Sequence, residues 1–588
     1  MTTVTIMQRP FPPTRRLAAM ALCLLAAACK PAPQTPAPAQ PAPMQAAPAA
    51  KIDEAERLAR WQRLGYGMFV HWGLYSELGG VWQGKPVTTG YSEQIQGWAK
   101  IPEADYAKVA ERFAAPKFDA DAICGLAKQA GARYIVVTSK HHDGFVMFDT
   151  KSTDYNIVKR TPFGKDPLKL LSAACRKAGL GFGVYFSLVD WHAGHTPETD
   201  HNSNPIPASM EPLIEQQLRE LMTNYGPITE VWFDMSAPTP EQSRKFATIM
   251  RELQPQAAIN GRIWNNAGDF VTLGDNEAPP PSMQPPFEVP ASIYHATWGY
   301  RSWQARDDLP GKVRELTRGL VQARAAGGNY LLNIGPMGDG SVVPFEADVL
   351  HGIGAWLQRH PQTMQAKPSG LPPQPWGATM RDGDALYLYV HDWKAGPLRV
   401  AGLASDPSEV RIDGGDVLKW HRDGNDLLID LPANAPDTVL PVLRVALSGP
   451  LQAVPVQPVV AADDGSWKIA FEQWRAGNSF AFGSGYLTQA TTTVSLDADV
   501  ASTQAQRVVL KLVGARARAD RRYRVAIGGH AVEVPGAELA TGTIGPFELP
   551  ASPATRLEIR LADPAYPAED LGLDFDAAEL RPAGAASP

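Results

Sequence analysis

Between residues 66 and 336 the chain alternates two patterns of apolar positions. Short runs dense in aromatic and β-branched residues read as buried strands: YGMFVHWG (66 to 73), YIVVTSKHH (134 to 142), GFGVYFSLVDW (181 to 191), TEVWFDM (229 to 235), AAINGRIW (257 to 264), SIYHATWGY (292 to 300) and NYLLNIGP (329 to 336). Among them lie stretches with apolar residues at helical spacing, namely DADAICGLAKQAG (119 to 131), DPLKLLSAACRKAG (166 to 179), PEQSRKFATIMREL (240 to 253) and LPGKVRELTRGLVQARAAGG (309 to 328). Strands separated by helices of this length must pair in parallel, because a parallel crossover needs about a dozen residues. Seven or eight such units over roughly 300 residues predict an α/β fold with a (β/α)8-type TIM barrel over residues 53–365, in preference to a doubly wound sheet. Polar residues gather at the C-terminal ends of the runs, where such barrels keep their chemistry.

Helical patterning stops after a segment ending near Gln362. Alternating runs such as ALYLYVHDW, EVRIDGG and DLLIDLP, set off by Gly, Asp and Pro turns, predict a β-sandwich over 366–450. A second β-sandwich-like module is expected over 451–588, either purely structural or carbohydrate-binding, since no binding motif stands out in it.

The N-terminus follows a different logic. Arg15 and Arg16 precede an apolar run from Leu17 to Ala28, which is too short to span a hydrocarbon core needing about 20 residues and reads as an export signal over 1–29. Ala26, Ala27 and Ala28 ahead of Cys29 resemble a bacterial lipobox, with Cys29 as the lipidation site and Lys30 favouring the outer membrane; a plain cleaved signal is the alternative. Pro, Ala and Gln dominate residues 30–52, a stiff tether without the apolar content for a core. An exported protein of the periplasm or outer membrane of a Gram-negative-type cell is therefore expected, touching the membrane only through its lipid.

Composition excludes some functions. With 44% hydrophobic and 20% charged residues and a formal net charge of −6 without long runs of one sign, the 588-residue chain has no electrostatic footprint for nucleic acid. Of the four cysteines, Cys23 and Cys29 belong to the signal. Cys124 and Cys175 sit in helical patterns as small buried hydrophobes, although sequence leaves a disulfide between them open.

Candidate chemistry lies at the strand ends. Asp234 closes the apolar run TEVWFDM, where a carboxylate needs a reason to be buried. By spacing alone it either caps the next helix or reacts. HHDGF (141 to 145) follows the strand YIVVTSK in the same topological place. His141 and His142, adjacent on a strand, should point to opposite sides and lack a third ligand at motif spacing, so hydrogen bonding to sugar hydroxyls fits better than a metal. His71 and Tyr185 close two further runs, and together these groups suggest one polar pocket floored by Trp72 and Trp232. Glycoside hydrolysis needs a second carboxyl to protonate the leaving oxygen. Asp275 and Glu277 in DFVTLGDNEAPPP and Glu288 in FEVP are the available candidates, each in a Pro-rich segment that reads as a loop.

FVHWGLYS (69 to 76), YSEQI (91 to 95), KHHDGF (140 to 145), GVYFS (183 to 187), VWFDM (231 to 235), NGR (260 to 262), WGY (298 to 300) and GGNYLLNIGPMGDG (327 to 340) occur in this order. The set resembles the family 29 glycoside hydrolases, the α-L-fucosidases, over roughly residues 60 to 365. That resemblance implies a retaining double displacement on terminal α-L-fucose of oligosaccharides or glycoconjugates, with no metal or organic cofactor. It implies Asp234 as nucleophile, His71, His141, His142 and Tyr185 as holders of fucose hydroxyls, and Trp232 and Trp298 beside the sugar's apolar edge. Glu93 and Arg262 match a carboxylate and a guanidinium near the site; Gln94 stands where some members have Trp. Measured back from Pro279, Asp275 falls where many members carry the acid/base Glu, ahead of Glu277 and then Glu288. A retaining α-L-galactosidase and a non-catalytic sugar-binding lipoprotein are the rival readings.

Overall fold

The computed structural model describes residues 53–584, apart from 198–203, 280–282, 284, 375, 392, 455–457, 471–472, 478–494 and 563–572. The segments expected to be an export signal, a lipidation site at Cys29 and a tether lie outside the described residues.

Among the described residues, eight parallel strands form the barrel: β1 (Tyr66–Val70), β2 (Tyr134–Lys140), β3 (Gly181–Ser187), β4 (Glu230–Asp234), β5 (Ala258–Ile259), β6 (Val271–Thr272), β7 (Phe287–Ser292) and β8 (Asn329–Ile334). Hydrogen bonding runs in the order β5-β4-β3-β2-β1-β8-β7-β6, and a parallel bridge from Asn260 to Phe270 joins the two ends of that order. The surrounding helices include α1 (Glu54–Gln62), α2 (Ala120–Gln129), α3 (Pro167–Ala178), α4 (Glu211–Asn224), α5 (Pro240–Leu253), α6 (Leu309–Ala325) and α7 (Pro344–Arg359). Their starts are written locally. Asp119, Asp166 and Asp308 each accept a backbone N–H of the first turn, and Thr239 with Gln242 forms a capping box on α5. Each cap contributes about 1 kcal/mol. Because Thr239 caps α5, Asp234 is left free of that duty.

Strand residues are buried on both faces, which explains why the runs read as continuous rather than alternating. The outer faces pack on the helices. The inner strand faces carry Phe69, Tyr134, Tyr185 and Trp232, which cluster with Phe270 just before β6 and Trp298 after β7, and Trp61 of α1 stacks on Phe270 at 3.9 Å. Rings this large fit only where a neighbour gives way: a Cβ on Gly67 would stand 2.4 Å from the Tyr134 ring.

Two expectations about elements are corrected. SIYHATWGY is not a strand; β7 is the preceding FEVPAS, and residues 293 to 300 form the connection after it. Pro290 misleads a sequence reading, yet it sits in the sheet opposite Leu331. The run AAINGRIW is a strand only at Ala258–Ile259 and turns into a short 3-10 helix at Gly261–Ile263.

C-terminal to α7 the described strands are antiparallel. A five-stranded sheet containing Gly377–Asp382, Ala385–Val390 and Val442–Leu447 and a three-stranded sheet containing Gly396–Val400 and Asp426–Leu431 share a core of Leu386, Leu388, Val400, Ile429 and Val445. Trp356 of α7 donates to the Leu440 carbonyl at 2.9 Å, tying that sheet to the barrel. Further along, four- and five-stranded sheets enclose a separate core that includes Trp467, Tyr523, Phe547 and Ile559. Cys124 and Cys175 are free, buried thiols on α2 and α3.

Candidate active site

The C-terminal ends of the barrel strands surround a cavity of about 430 Å³, lined by His71, Glu93, His141, His142, Tyr185, Trp232, Asp234, Arg262, Asp275, Glu277 and Trp298 among others. Successive barrel units supply them. His71 follows β1, the two histidines follow β2, Tyr185 lies in β3, Asp234 ends β4, Arg262 follows β5, Asp275 follows β6 and Trp298 follows β7.

Asp234 is the most constrained of these. Its Oδ2 accepts from the Tyr185 hydroxyl at 2.7 Å and its Oδ1 from Arg262 Nη1 at 2.7 Å, with His142 Nε2 at 3.9 Å from Oδ2. Burial pushes its pKa up, but Arg262, His142 and the Tyr185 hydroxyl outweigh burial and hold the carboxyl below its ordinary value. Met235 and Ser236, directly after it, both adopt left-handed backbone with φ of 60° and 59°. Non-glycine residues take this conformation at a cost, which surrounding structure must sustain, and such strain concentrates at functional sites.

Arg262 organises the carboxylates. Its Nε donates to Thr272 Oγ1 at 3.0 Å and its Nη2 to the Leu273 carbonyl at 3.3 Å, while its guanidinium lies 4.5 Å from the Trp232 ring. From this fixed seat Nη2 also reaches Asp275 Oδ1 at 3.5 Å. Asp275 Oδ2 accepts from Trp298 Nε1 at 3.2 Å, and its side chain is 32% exposed through the mouth of the cavity against 12% for Asp234. Burial and the nearby Asp234 charge raise the Asp275 pKa, and Arg262 only partly offsets them. One guanidinium therefore serves two carboxyls shifted in opposite directions.

His71 and His141 are biased toward neutral rings. Asn333 donates its amide N–H to the Trp298 carbonyl at 2.7 Å, so its Oδ1 accepts from His71 Nδ1 at 2.7 Å and leaves His71 Nε2 with a lone pair. Burial lowers the His71 pKa to about 4, despite Asn333 and Asp234. Ser187 Oγ donates to the Val189 carbonyl at 2.9 Å and so accepts from His142 Nδ1 at 2.7 Å. His141 stacks on Tyr185 with ring centres 5.3 Å apart, and burial holds its pKa well below the ordinary value. The expectation that the two adjacent rings diverge is corrected. β2 ends at Lys140, a turn follows, and both rings line the cavity with centres 4.0 Å apart.

Glu93 serves the scaffold as well as the cavity wall. Its Oε2 accepts from the backbone N–H groups of Trp298 and Gly299 at 3.1 and 2.8 Å, which fixes the loop carrying Trp298. Burial raises its pKa to about 7 against the backbone donors and Arg301.

Two sequence readings fail here. Glu288 is not on a loop: it faces the barrel interior from β7, accepts from the Tyr134 hydroxyl on Oε1 and from Trp232 Nε1 at 3.0 Å on Oε2, and does not line the cavity. Trp72 does not floor the pocket either. It stacks on Phe118 at 5.0 Å and donates to the Met337 carbonyl at 2.9 Å, outside the strand layer, because residues next to each other on an extended segment face opposite ways and His71 has taken the inner side. Glu277 reaches the cavity wall, but its Oε2 is turned back onto the Gly274 N–H at 3.0 Å. Sequence reasoning missed Tyr91, Trp98 and Met235, which also line the cavity, and Asn333, which sets the His71 tautomer. YSEQI, VWFDM and NYLLNIGP already contained three of these four.

A barrel that keeps one buried carboxyl ionised and biases another toward its protonated form, both within reach of one guanidinium, has the equipment of a glycoside hydrolase. Comparison with known proteins specifies which. The α-L-fucosidase family profile matches residues 34–362. Bovine tissue α-L-fucosidase is 28% identical over 407 residues, covering 64% of this chain and 84% of the relative. Among solved structures, α-L-fucosidase isoenzyme 1 from Paenibacillus thiaminolyticus aligns with a TM-score of 0.59 and 28% identity over 67% of this chain and all of that one. A Bacteroides thetaiotaomicron α-L-fucosidase trapped as a covalent intermediate with 2-fluoro-fucosyl fluoride aligns at 0.59 and 26%, covering 68% of this chain and 97% of that one. The α-L-fucosidase from Vibrio sp. strain EJY3, 24% identical, shares the fold over 90% of this chain and 98% of its own, with a TM-score of 0.62. The chain belongs to the α-L-fucosidase family of glycoside hydrolases.

Proposed function

We propose that this chain is a retaining α-L-fucosidase that releases terminal α-L-fucose from oligosaccharides or glycoconjugates, with Asp234 as nucleophile and Asp275 as acid/base. The observation that carries this reading is the divergent pairing around Arg262: Asp234 held ionised at 2.7 Å, Asp275 raised at 3.5 Å. Retention requires two carboxyls close together, about 5–5.5 Å apart, and here both reach one guanidinium.

In the first step the Asp234 carboxylate attacks the anomeric carbon as the glycosidic C–O bond breaks, and the Asp275 proton passes to the leaving oxygen. In the second, Asp275 takes a proton from water while that water's oxygen attacks the same carbon and the bond to Asp234 breaks. Two inversions give net retention. The lone pair on His71 Nε2 accepts from a sugar hydroxyl, with His141 and His142 beside it, and Trp232 and Trp298 supply apolar surface for the sugar's C–H edge. The covalent intermediate of the Bacteroides relative supports the nucleophilic step. Glu277 ranks behind Asp275 because its carboxyl is engaged by its own loop.

The basic n-region, the apolar run and Ala26 to Cys29 support export with a lipid on Cys29, the tether holding the enzyme off a membrane surface. The test of the chemistry is the anomer first released from 4-nitrophenyl α-L-fucoside, followed by NMR. α-L-Fucose is expected; initial release of the β-anomer, or undiminished turnover in Asp234→Gly, overturns it.

A further inference from the structure

Fucose accounts for the buried floor of the cavity but not for its half-exposed wall. That wall is Gly90, Tyr91 and Trp98, the partly exposed ends of a segment whose middle, Ser92 to Gln96, is buried. Gly90 has φ +65°, and a Cβ there would stand 1.8 Å from the Trp98 indole, so the ring lies directly on backbone. Trp98 Nε1 donates to Gln94 Oε1 at 3.2 Å, one helical turn back, which fixes the ring's rotation. The Gly90 carbonyl accepts from Arg301 Nη2, anchoring the backbone beneath the ring. A half-exposed Trp with its only polar atom satisfied and its edge seated on glycine presents an ordered apolar face toward the cavity it lines. Ordering an exposed aromatic face has a use where a partner with an apolar face stacks on it.

The neighbouring residue locates that partner. Tyr91 and Asp275 line the same cavity, and the Asp275 charge is among the causes that raise the Tyr91 pKa, so the wall stands beside the acid. The glycosidic oxygen must meet Asp275, and whatever is attached to that oxygen continues outward past Tyr91 and Trp98 to the mouth. We propose that Trp98, held by Gln94 and Gly90, is the stacking platform for the leaving group, and that the preferred leaving group is a pyranose offering an apolar C–H face. This inference rests on the assignment of Asp275 above.

The test compares two substrates with the same fucosyl group. In α-L-fucosyl fluoride the leaving group is a single atom that cannot reach Trp98; in a fucosyl hexopyranoside disaccharide it is a full ring. In Trp98→Ala, kcat/KM for the disaccharide should fall at least tenfold further than for the fluoride, mostly through KM, with Trp98→Phe recovering part of the difference. Inhibition by the free hexopyranose product should weaken in parallel. Equal losses on both substrates would mean that Trp98 only shapes the fucose pocket or the fold and would overturn the proposal. So would a disaccharide kcat/KM that survives intact. A wild-type enzyme that cleaves the fluoride but no glycoside overturns the acid assignment and this inference with it, whereas one that cleaves neither overturns the fucosidase reading itself.

Discussion

The Tyr185 hydroxyl donates to Asp234 Oδ2 at 2.7 Å across neighbouring strands, where Tyr185 pairs with Trp232 and Ser187 with Asp234. The tyrosine thus acts on the carboxylate rather than serving only as a contact for a sugar hydroxyl. A charge-assisted bond of this kind is worth about 1.5–3 kcal/mol. Tyr185→Phe should therefore raise the Asp234 pKa, and since a nucleophile must be ionised, the acid limb of the kcat/KM profile should move up by about one to two pH units. An unmoved acid limb in that variant would assign the hydroxyl to substrate binding instead.

Removing the proposed nucleophile should leave a diagnostic product. Asp234→Gly is expected to lose hydrolysis to background, and azide, entering the vacated space opposite the leaving group, should give β-L-fucosyl azide in a single inversion. Recovery of the α-azide from this variant would show that the covalent step persists through another residue.

Asp275 and Glu277 separate by the same logic. Asp275→Ala should lose about 10²–10⁴-fold on a disaccharide, much less on an activated aryl fucoside, and yield the α-azide because the first displacement still occurs. Its raised pKa marks the alkaline limb of the wild-type profile, where activity falls as Asp275 gives up its proton; Asp275→Asn should lose that limb. Glu277→Ala should cost tenfold or less, and a reversed ranking measured by these rates moves the acid to Glu277.

Beneath the pocket, burial raises the pKa of Glu288 above its ordinary value, and that of the neighbouring Glu230 with it, so the two carboxyls titrate as a pair. A carboxyl raised in the fold binds its proton more tightly there than in the unfolded chain. Its protonation therefore supports folding at acid pH, and this support is lost as pH climbs above the ordinary carboxyl range. Tm of the wild type should fall between pH 5 and 8 by more than that of Glu288→Gln, read by calorimetry at both pH values. Parallel pH dependences in the two proteins would remove Glu288 from the account.

Much of this molecule was legible in its sequence. The period of the apolar positions determined the alternation of strands and helices, and Asp119, Asp166, Thr239 and Asp308 wrote the helix starts, since both depend on a few neighbouring residues. The ordered motifs at the strand ends also carried Asp234, the three histidines, Tyr185 and Arg262 to one cavity. Facing direction was not legible. Glu288 looked like a loop acid because Pro290 disguised its strand, and only pairing with β8 turns its carboxyl into the barrel toward Trp232. Trp72 and His71 are adjacent in sequence, yet register sends one outward to Phe118 and the other inward to Asn333. Nor can spacing reveal that Arg262, 28 residues from Asp234 and 13 from Asp275, joins them through one planar group. Local propensity acts over a few residues and is written in the chain. The partners of a charge are chosen by barrel closure, which brings β4, β5 and β6 side by side and so decides which carboxyl is biased toward its proton.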